Sequence, residues 1–270
     1  MFYLYECLSL LLHAGRDTMG SKKTKRLEMT VAAIQRRWGR KALHKLEGSA
    51  IKVEVPHIST GFSALDRALG IGGLAKGRVS ELLGPATSGK TTLAIKFLVQ
   101  AQSNGGWVGY IDHARFFDPD YAHRCGLDLS HLLIVAPYDL EEALAMTEAL
   151  AGSGGLAALV FDGLDMFWAD ADATLRIAAC LDRLVAPLAR SGTAMLFLHA
   201  PAVRRSSALS ALAHHATTRL RIARERWLHR HGDIRGYEAR VEVQKNRLGP
   251  AGRVVTIAIK FNGTVRGNGL

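Results

Sequence analysis

A glycine-rich run at residues 84–92, GPATSGKTT, restricts this chain to few folds. The run fits the pattern GxxxxGK[ST], and it follows the apolar residues Val79–Leu83 and precedes a window with helical periodicity. A strand, a glycine-rich loop and a helix in that order form a cradle in which backbone N–H groups and the positive end of the helix hold phosphate. The sequence therefore predicts a phosphate-binding loop made of Gly84, Pro85, Ala86, Thr87, Ser88, Gly89, Lys90, Thr91 and Thr92.

Two residues in this run and one farther along the chain supply the chemistry that such a loop needs. Lys90 is placed to neutralise the outer phosphates of a nucleotide and to stabilise the transition state of phosphoryl transfer. Thr91 offers a hydroxyl to Mg²⁺, and Asp162, which ends the apolar run Ala158–Asp162, offers a carboxylate to the same ion. An aspartate after a buried strand is also common at ordinary turns, so the Asp162 assignment depends on the phosphate loop.

The alternation of apolar runs and helical windows after His57 predicts an α/β fold. Helical windows between successive strands imply a mostly parallel sheet flanked by helices, with right-handed crossovers. From Arg219 onward the pattern becomes strand-like alternation, which predicts antiparallel strands that close the sheet. The predicted strands are Val79–Leu83, Val108–Asp112, Leu132–Ala136, Ala158–Asp162, Ala194–His199, Arg219–Trp227, Tyr237–Lys245 and Arg253–Phe261.

The chain upstream of this α/β region is interpreted as two further parts. Residues 1–18 are predicted to be an extended start without a fold of their own, because a second methionine, Met19, opens a polar run. Residues 19–56 are predicted to hold a basic amphipathic helix or helix pair, at about 28–45, and a linker, which leaves 57–270 as the core. The apolar residues 1–13 are interrupted by Glu6 and are fewer than the ~20 that span a bilayer, so no membrane anchor is predicted.

The charge balance favours an anionic partner. Lys and Arg number 35 against 24 Asp and Glu, which gives a net charge of +11. Such a surplus is typical of proteins that bind nucleic acid, but it also describes a solvated basic surface. The three cysteines, Cys7, Cys125 and Cys180, lack the spacing of a disulfide framework or a zinc site, which favours a reducing, cytoplasmic setting.

Several passages of the sequence resemble the RecA family of strand-exchange ATPases. The match begins at Ile58-Ser59-Thr60-Gly61, passes through residues 65–70 (LDRALG) and 84–92, and ends in residues 243–247 (VQKNR). It covers about residues 29–264, including the basic helix, which in this family docks on the neighbouring protomer. The resemblance implies a RecA-like core, ATP and Mg²⁺ as cofactors, and single-stranded DNA and further copies of the chain in a filament as partners.

Family roles map onto five positions outside the phosphate loop. Asp118 and Tyr121 match residues that contact adenine, and Phe261 lies where the family has an aromatic that stacks on the base. Lys245 and Arg247 match two basic residues that reach the phosphates of the adjacent subunit's nucleotide. Alternate Lys and Arg are also common on exposed strand faces, so an ordinary solvated strand remains the other interpretation of this pair.

The sequence departs from the family where the family hydrolyses ATP. Ala114 occupies the position of the carboxylate that activates the attacking water, and loss of such a base costs about 10²–10⁴-fold in rate. Asp112 and His113 are nearby, but adjacent strand residues point to opposite faces, so neither is a good substitute. Ala200 replaces the glutamine that senses the γ-phosphate.

The segments that match the family's DNA-binding loops also differ. Residues 201–212 are shorter than their counterpart, although Arg204 and Arg205 are expected to contact DNA phosphates. Between Trp168 and Leu175 the loop is trimmed, and its acidic residues 169–173 would repel a phosphate backbone.

Two function classes follow. The first is a DNA recombination and repair ATPase that forms ATP-dependent filaments on single-stranded DNA, with weakened hydrolysis. The second is a non-catalytic accessory protein that regulates a RecA filament or a translesion polymerase in damage-induced mutagenesis. A RecA-fold ATPase outside DNA metabolism is less favoured.

A basic stripe near Trp227 offers either a further contact for single-stranded DNA or a solvated strand face; its members are Arg219, Arg221, Arg224 and Arg226.

Overall fold

The structure is a computed structural model that describes residues 22–39, 43, 54–103, 105–167, 170–201, 207–230 and 233–260. The chain divides into two units, residues 1–53 and residues 54–270. The narrower division predicted from the sequence, with boundaries at 18/19 and 56/57, stays a prediction. Among the described residues, no helix combines the length and the hydrophobicity needed to cross a bilayer.

The first unit contains a described helix, α1, over residues 22–38. It begins before the predicted range of about 28–45 and ends before Gly39, whose conformation explains the stop; of residues 40–45 only residue 43 is described. Gly39 adopts φ of 86°, and its N–H donates to the carbonyl of Gln35 at 2.9 Å. A glycine in this left-handed conformation is a common end of a helix.

The second unit is built around one mostly parallel sheet of eight strands, flanked by helices, which confirms the predicted α/β class. A separate pair of short antiparallel strands, β1 (His57–Ile58) and β2 (Leu74–Ala75), lies outside this sheet. The sheet strands are β3 (Val79–Leu83), β4 (Trp107–Asp112), β5 (Leu132–Val135), β6 (Leu156–Asp162), β7 (Ala194–His199), β8 (Thr218–Arg230), β9 (Asp233–Asn246) and β10 (Val254–Lys260). Their order across the sheet is β10-β9-β8-β3-β7-β6-β4-β5.

Strands β8, β3, β7, β6, β4 and β5 run parallel to one another, and β9 and β10 are added to β8 by antiparallel pairing. The helices of this unit are α2 (Ser63–Leu69), α3 (Lys90–Gln102), α4 (Pro119–Arg124), α5 (Leu140–Gly152), α6 (Ala171–Ser191) and α7 (Ser207–His215). Short 3-10 turns occur at Leu129–His131 and Leu164–Phe167.

The central strands β3, β7 and β6 are buried on both faces, which is why they are continuous apolar runs. Successive residues of a strand face opposite sides, and the core divides accordingly. Tyr110 and Val160 pack in the cluster that includes α3, whereas Ile111 and Phe161 pack in the cluster that includes α5, α6 and α7.

The topology separates two edges of the sheet. The carboxyl ends of the parallel strands β3, β4, β6 and β7 meet at one edge, which we call the phosphate edge. Strand β9 runs the other way, and Asn246 near its end pairs with Thr218 at the start of β8. The end of β9 therefore lies at the opposite edge, beside the start of β3.

Two segments differ from the sequence interpretation. The acidic run 169–173 does not form a loop throughout, because Asp170 accepts hydrogen bonds from the N–H groups of Asp172 and Ala173 and caps α6. Carboxylates at a helix N-terminus are stabilised by its unpaired N–H groups, which accounts for the acidic composition. Residues 207–212, expected within a loop, belong to α7. Arg204 and Arg205 lie outside the described residues.

A buried ionic cluster joins β3, β7 and β8. Glu81 is 0% exposed, and its Oε1 lies 2.8 Å from Nε2 of His199, which is 1% exposed. Its Oε2 lies 3.1 Å from Nε of Arg219. The other ring nitrogen of His199 donates to the carbonyl of Ala200 at 2.7 Å, because a carbonyl oxygen only accepts. Breaking a buried ion pair leaves its partners uncompensated, so this cluster is expected to matter for stability.

Replacing Glu81 with alanine should therefore lower the free energy of unfolding by about 3–5 kcal/mol. Urea denaturation followed by circular dichroism measures this change. The matched control is Glu148→Ala, which removes a solvent-exposed pair with Arg183 and should cost about 1 kcal/mol or less. Equal costs for the two substitutions would contradict the importance of the buried cluster.

Candidate functional site

The loop between β3 and α3 is built on two glycines that leave no room for a side chain. A β-carbon at Gly84 would lie 2.3 Å from the carbonyl oxygen of Ile222, and one at Gly89 would lie 2.7 Å from the Ile259 side chain. Gly89 has φ of 102° and Thr87 has φ of 57°, so the backbone turns through the left-handed region. This tight course against β8 and β10 is typical of a backbone cradle for phosphate.

Lys90 is the first residue of α3, and its ammonium lies against the loop. Nζ donates to the carbonyl oxygens of Gly84 at 2.7 Å and Pro85 at 2.9 Å. Burial lowers the pKa of Lys90, whereas the carboxylates of Asp162 and Asp165 raise it. A partly buried cation that is bonded to neutral carbonyls is stabilised further by an anion within reach, so Lys90 is well placed for phosphate.

The rest of the loop fits a nucleotide that carries Mg²⁺. Pro85, Ala86 and Thr87 are exposed, and Thr91 is partly exposed. The buried hydroxyl of Ser88 has no hydrogen-bond partner among the described residues, a cost that a ligand oxygen in the loop would remove. In the described part of the chain, no three His, Cys, Asp or Glu side chains cluster to hold a metal. Mg²⁺ typically takes few carboxylates together with phosphate and water, which suits this arrangement.

Asp162 ends β6 at the phosphate edge and is held by a tyrosine. The hydroxyl of Tyr110 on β4 donates to Oδ2 of Asp162 at 2.6 Å. Burial raises the pKa of Asp162, and the hydrogen bond from Tyr110 lowers it. Asp112 raises this pKa and Lys90 lowers it, in keeping with the position of both groups at the same edge.

Asp112 shapes the turn that follows β4. It lies in register with Asp162 on the neighbouring strand and is only 6% exposed. Its Oδ1 accepts from the N–H of Phe116 at 3.0 Å, and its Oδ2 accepts from the N–H of Phe117 at 2.9 Å. Both oxygens of Asp112 therefore hold the backbone of this turn.

Ala114 lies next to the Asp162 strand end. A β-carbon built on Gly163 would lie 3.2 Å from the β-carbon of Ala114. The position at which the family resemblance implies a carboxylate is therefore close to the candidate Mg²⁺ ligand, but it carries a methyl group. The ring of His113 stacks on Phe167 with centroids 4.6 Å apart, and burial lowers the pKa of His113.

The two candidate adenine contacts lie at the start of α4. Asp118 caps this helix and accepts from the N–H of Tyr121 at 3.0 Å. The hydroxyl of Tyr121 lies 2.5 Å from Oγ1 of Thr92, so the structure brings this ring against the start of α3. Phe261, the third candidate, lies outside the described residues.

Lys245 and Arg247 lie at the edge opposite the phosphate loop. Nζ of Lys245 donates to the carbonyls of Ala213 at 2.5 Å and His214 at 3.0 Å, and Nη2 of Arg247 donates to the carbonyl of His214 at 2.6 Å. Both cations thus bind the carboxyl end of α7, where helix carbonyls are otherwise unpaired. Burial lowers the pKa of Lys245, and the charge of Arg247 lowers it further.

The basic stripe on β8 is less uniform than its sequence indicates. Arg219 belongs to the buried cluster, and Arg226 pairs with a carboxylate of β9 at 2.7 Å. The guanidinium of Arg224 lies 4.3 Å from the ring centroid of Trp227, in a cation–π contact. Arg221 is exposed.

Sequence reasoning missed the roles of Tyr110 and His199. Tyr110 precedes Asp112 by two residues and so faces the same side of β4, a spacing that could have linked it to the site. In the sequence it looks like one more apolar core residue. The contact between Tyr121 and Thr92 has no local sequence signal.

The loop geometry leads to a prediction for Lys90→Ala. The affinity for ATP with Mg²⁺, measured by calorimetric titration, should fall by about tenfold or more because a charge-assisted contact worth roughly 1.5–3 kcal/mol is lost. Circular dichroism should show the fold retained. Lys76→Ala, an exposed lysine at the start of β3, should leave the affinity unchanged. An unchanged affinity for Lys90→Ala would contradict the site.

A match to a protein family and the similarity to known proteins point to the same family. The RecA N-terminal domain family matches residues 25–266. Protein RecA of Rhizobium rhizogenes is 33% identical in an alignment that covers 88% of this chain and 72% of that protein. Protein RecA of Rhodospirillum rubrum is 33% identical in an alignment that covers 94% of this chain and 74% of that protein. The chain therefore belongs to the RecA family.

Proposed function

We propose that this RecA-like recombination and repair protein binds ATP with Mg²⁺ at the phosphate edge and assembles as an ATP-dependent filament on single-stranded DNA, with weakened hydrolysis. The coarser part of this description, a RecA-like protein of recombination and repair that binds ATP and DNA, follows from the family. The nucleotide site, the filament and the slow turnover are the finer proposal.

The observation that carries the nucleotide site is the meeting of three groups at the phosphate edge. Gly84 and Gly89 let the loop backbone pass close to β8 and β10, Lys90 supplies a cation, and Asp162 ends β6, which is separated from β3 by β7. In the proposed complex, Lys90 leaves the loop carbonyls for the phosphates, and Thr91 and Asp162 hold the Mg²⁺ shell. Mg²⁺ neutralises phosphate charge when it is bound.

The placement of Lys90 and of the Lys245–Arg247 pair at opposite edges of the sheet supports assembly of several copies of the chain. Lys245 and Arg247 lie at the opposite edge from Lys90, so they cannot reach the nucleotide of their own chain by side-chain motion alone. Head-to-tail stacking would bring the opposite edge of one copy to the phosphate edge of the next, and such heterologous contacts build open filaments when they do not close. In this arrangement Lys245 and Arg247 contact the phosphates of the neighbouring copy's nucleotide.

Replacing Lys245 and Arg247 together with alanine tests the assembly. The double variant should still bind ATP in calorimetric titration, but filaments on single-stranded DNA with ATP should be lost in electron microscopy. Arg235→Ala, which changes an exposed arginine on the same strand, is the control and should leave filaments intact. Intact filaments in the double variant, or an unmodified protein that forms only monomers or closed oligomers, would contradict the assembly.

The proposal of weak hydrolysis rests on Ala114. Its methyl group lies beside Gly163, next to Asp162, and the nearby Asp112 carboxylate is engaged by two backbone N–H groups. The position that should orient and deprotonate the attacking water therefore has no base. ATP binding depends on other residues and is expected to persist.

Restoring a carboxylate tests this point. Ala114→Glu should raise the rate of ATP hydrolysis, measured as phosphate release with single-stranded DNA, by at least tenfold, because a positioned base contributes about 10²–10⁴-fold. Ala114→Gln has nearly the same shape without a base and should remain slow. Equal rates for the unmodified protein and both variants would contradict the explanation.

The lack of a carboxylate at position 114 also favours a second candidate function. A protein that binds ATP without turning it over fits a non-catalytic accessory role, in which the nucleotide-bound form regulates a RecA filament or a translesion polymerase. DNA-stimulated turnover in the unmodified protein favours the first function. ATP binding with no turnover and no filament favours the accessory role.

A further inference from the structure

The hydroxyl of Tyr110 is a buried polar group whose position is set by one carboxylate. Tyr110 is 0% exposed, and its ring packs in the core against Phe117, with ring centroids 4.7 Å apart. Its hydroxyl donates to Oδ2 of Asp162 at 2.6 Å. A bond of this length between a hydroxyl and a carboxylate is typical of a strong, charge-assisted interaction.

The surroundings explain why Asp162 needs such a donor. Asp112 and Asp162 are register partners on adjacent strands, so their side chains lie on the same face of the sheet, Asp112 buried and Asp162 partly buried. Asp112 is satisfied by the N–H groups of Phe116 and Phe117. Asp162 takes its side-chain hydrogen bond from Tyr110 on the strand that also carries Asp112. Each carboxylate therefore has its own donors, and their orientations are fixed independently.

The ring of Tyr110 does not need its hydroxyl in order to pack. Buried tyrosine hydroxyls cost free energy unless they are bonded, and an apolar ring of the same shape would fill this part of the core equally well. The hydroxyl therefore contributes through its hydrogen bond to the Asp162 carboxylate. Partners that orient a metal ligand in this way commonly change metal affinity by about 10–100-fold when they are removed.

We propose that Tyr110 is a positioning residue for the Mg²⁺–nucleotide site, which fixes the Asp162 carboxylate so that it faces the Mg²⁺ shell rather than Asp112. This inference rests on the proposed function of the phosphate edge. Tyr110 itself touches neither the nucleotide nor the ion; it acts through Asp162.

The test is Tyr110→Phe, with binding of a fluorescent ATP analogue measured as Mg²⁺ is titrated. The Mg²⁺ concentration at half-saturation should rise about 10-fold to 100-fold. Nucleotide binding in the presence of excess chelator should be unchanged, because Lys90 and the loop backbone are intact. Tyr138→Phe, which removes a hydroxyl that is exposed at the same edge, should leave the Mg²⁺ titration unchanged.

Two further variants separate orientation from packing. Phe117→Leu loosens the ring contact without removing the hydroxyl. It should lower the thermal unfolding midpoint but leave the Mg²⁺ concentration at half-saturation nearly unchanged. In an Asp162→Asn background, Tyr110→Phe should have less than a twofold further effect on the Mg²⁺ titration, because the residue acts through that carboxylate.

The outcomes distinguish this inference from the function on which it rests. A Mg²⁺-dependent unmodified protein whose titration is unchanged by Tyr110→Phe overturns the positioning role alone. The same is true if Phe117→Leu shifts the titration as much as Tyr110→Phe, or if the Tyr110→Phe effect persists in the Asp162→Asn background. An unmodified protein that binds no ATP, or binds it without regard to Mg²⁺, overturns both.

Discussion

The close approach of Gly84 to its two neighbouring strands determines where the rest of the site can lie. The N–H of Gly84 donates to the carbonyl of His199 on β7, and a side chain at Gly84 would collide with the carbonyl of Ile222 on β8. The loop therefore leaves the sheet at one fixed point between β7 and β8. Because parallel strands end at a common edge, this point also fixes the distance from the loop to Asp162 on β6 and to the turn after β4.

The second organising constraint is electrostatic. In a chain with a net charge of +11, Asp162 and Asp165 lie within electrostatic reach of Lys90 at the phosphate edge, and Asp112 lies beside Asp162. Asp112 and Asp162 are each supplied with hydrogen-bond donors: backbone N–H groups for Asp112, and Tyr110 for Asp162. The basic surplus lies elsewhere in the chain, including Lys245 and Arg247 at the opposite edge.

Much of this architecture could be predicted from the sequence because the relevant signals are local. The glycine-rich run and the apolar strands depend on the chemistry of neighbouring residues, and the predicted β3 and β7 coincide with the observed strands. The described helix α1 ends before Gly39, whose left-handed conformation is not revealed by the periodicity of the apolar residues. The sequence does not reveal that α6 begins within the acidic run 169–173, because a helix-capping aspartate and a loop aspartate are identical in sequence. Tyr110 and His199 depend on partners 52 and 118 residues away, which a linear pattern does not reveal.

Lys245 and Arg247 cap α7, and the same two cations are proposed to bind the phosphates of a neighbouring copy's nucleotide. In the isolated chain they bind the carbonyls of Ala213 and His214 at the end of a nine-residue helix. A lysine or arginine that moves to a phosphate gives up such a bond, so the end of α7 and an external anion compete for it. By thermodynamic linkage the competition is reciprocal: binding of the anion weakens the bond to the end of α7 by the same factor by which that bond weakens binding of the anion. A change in the stability of the end of α7 is therefore expected to change the affinity of Lys245 and Arg247 for an external anion.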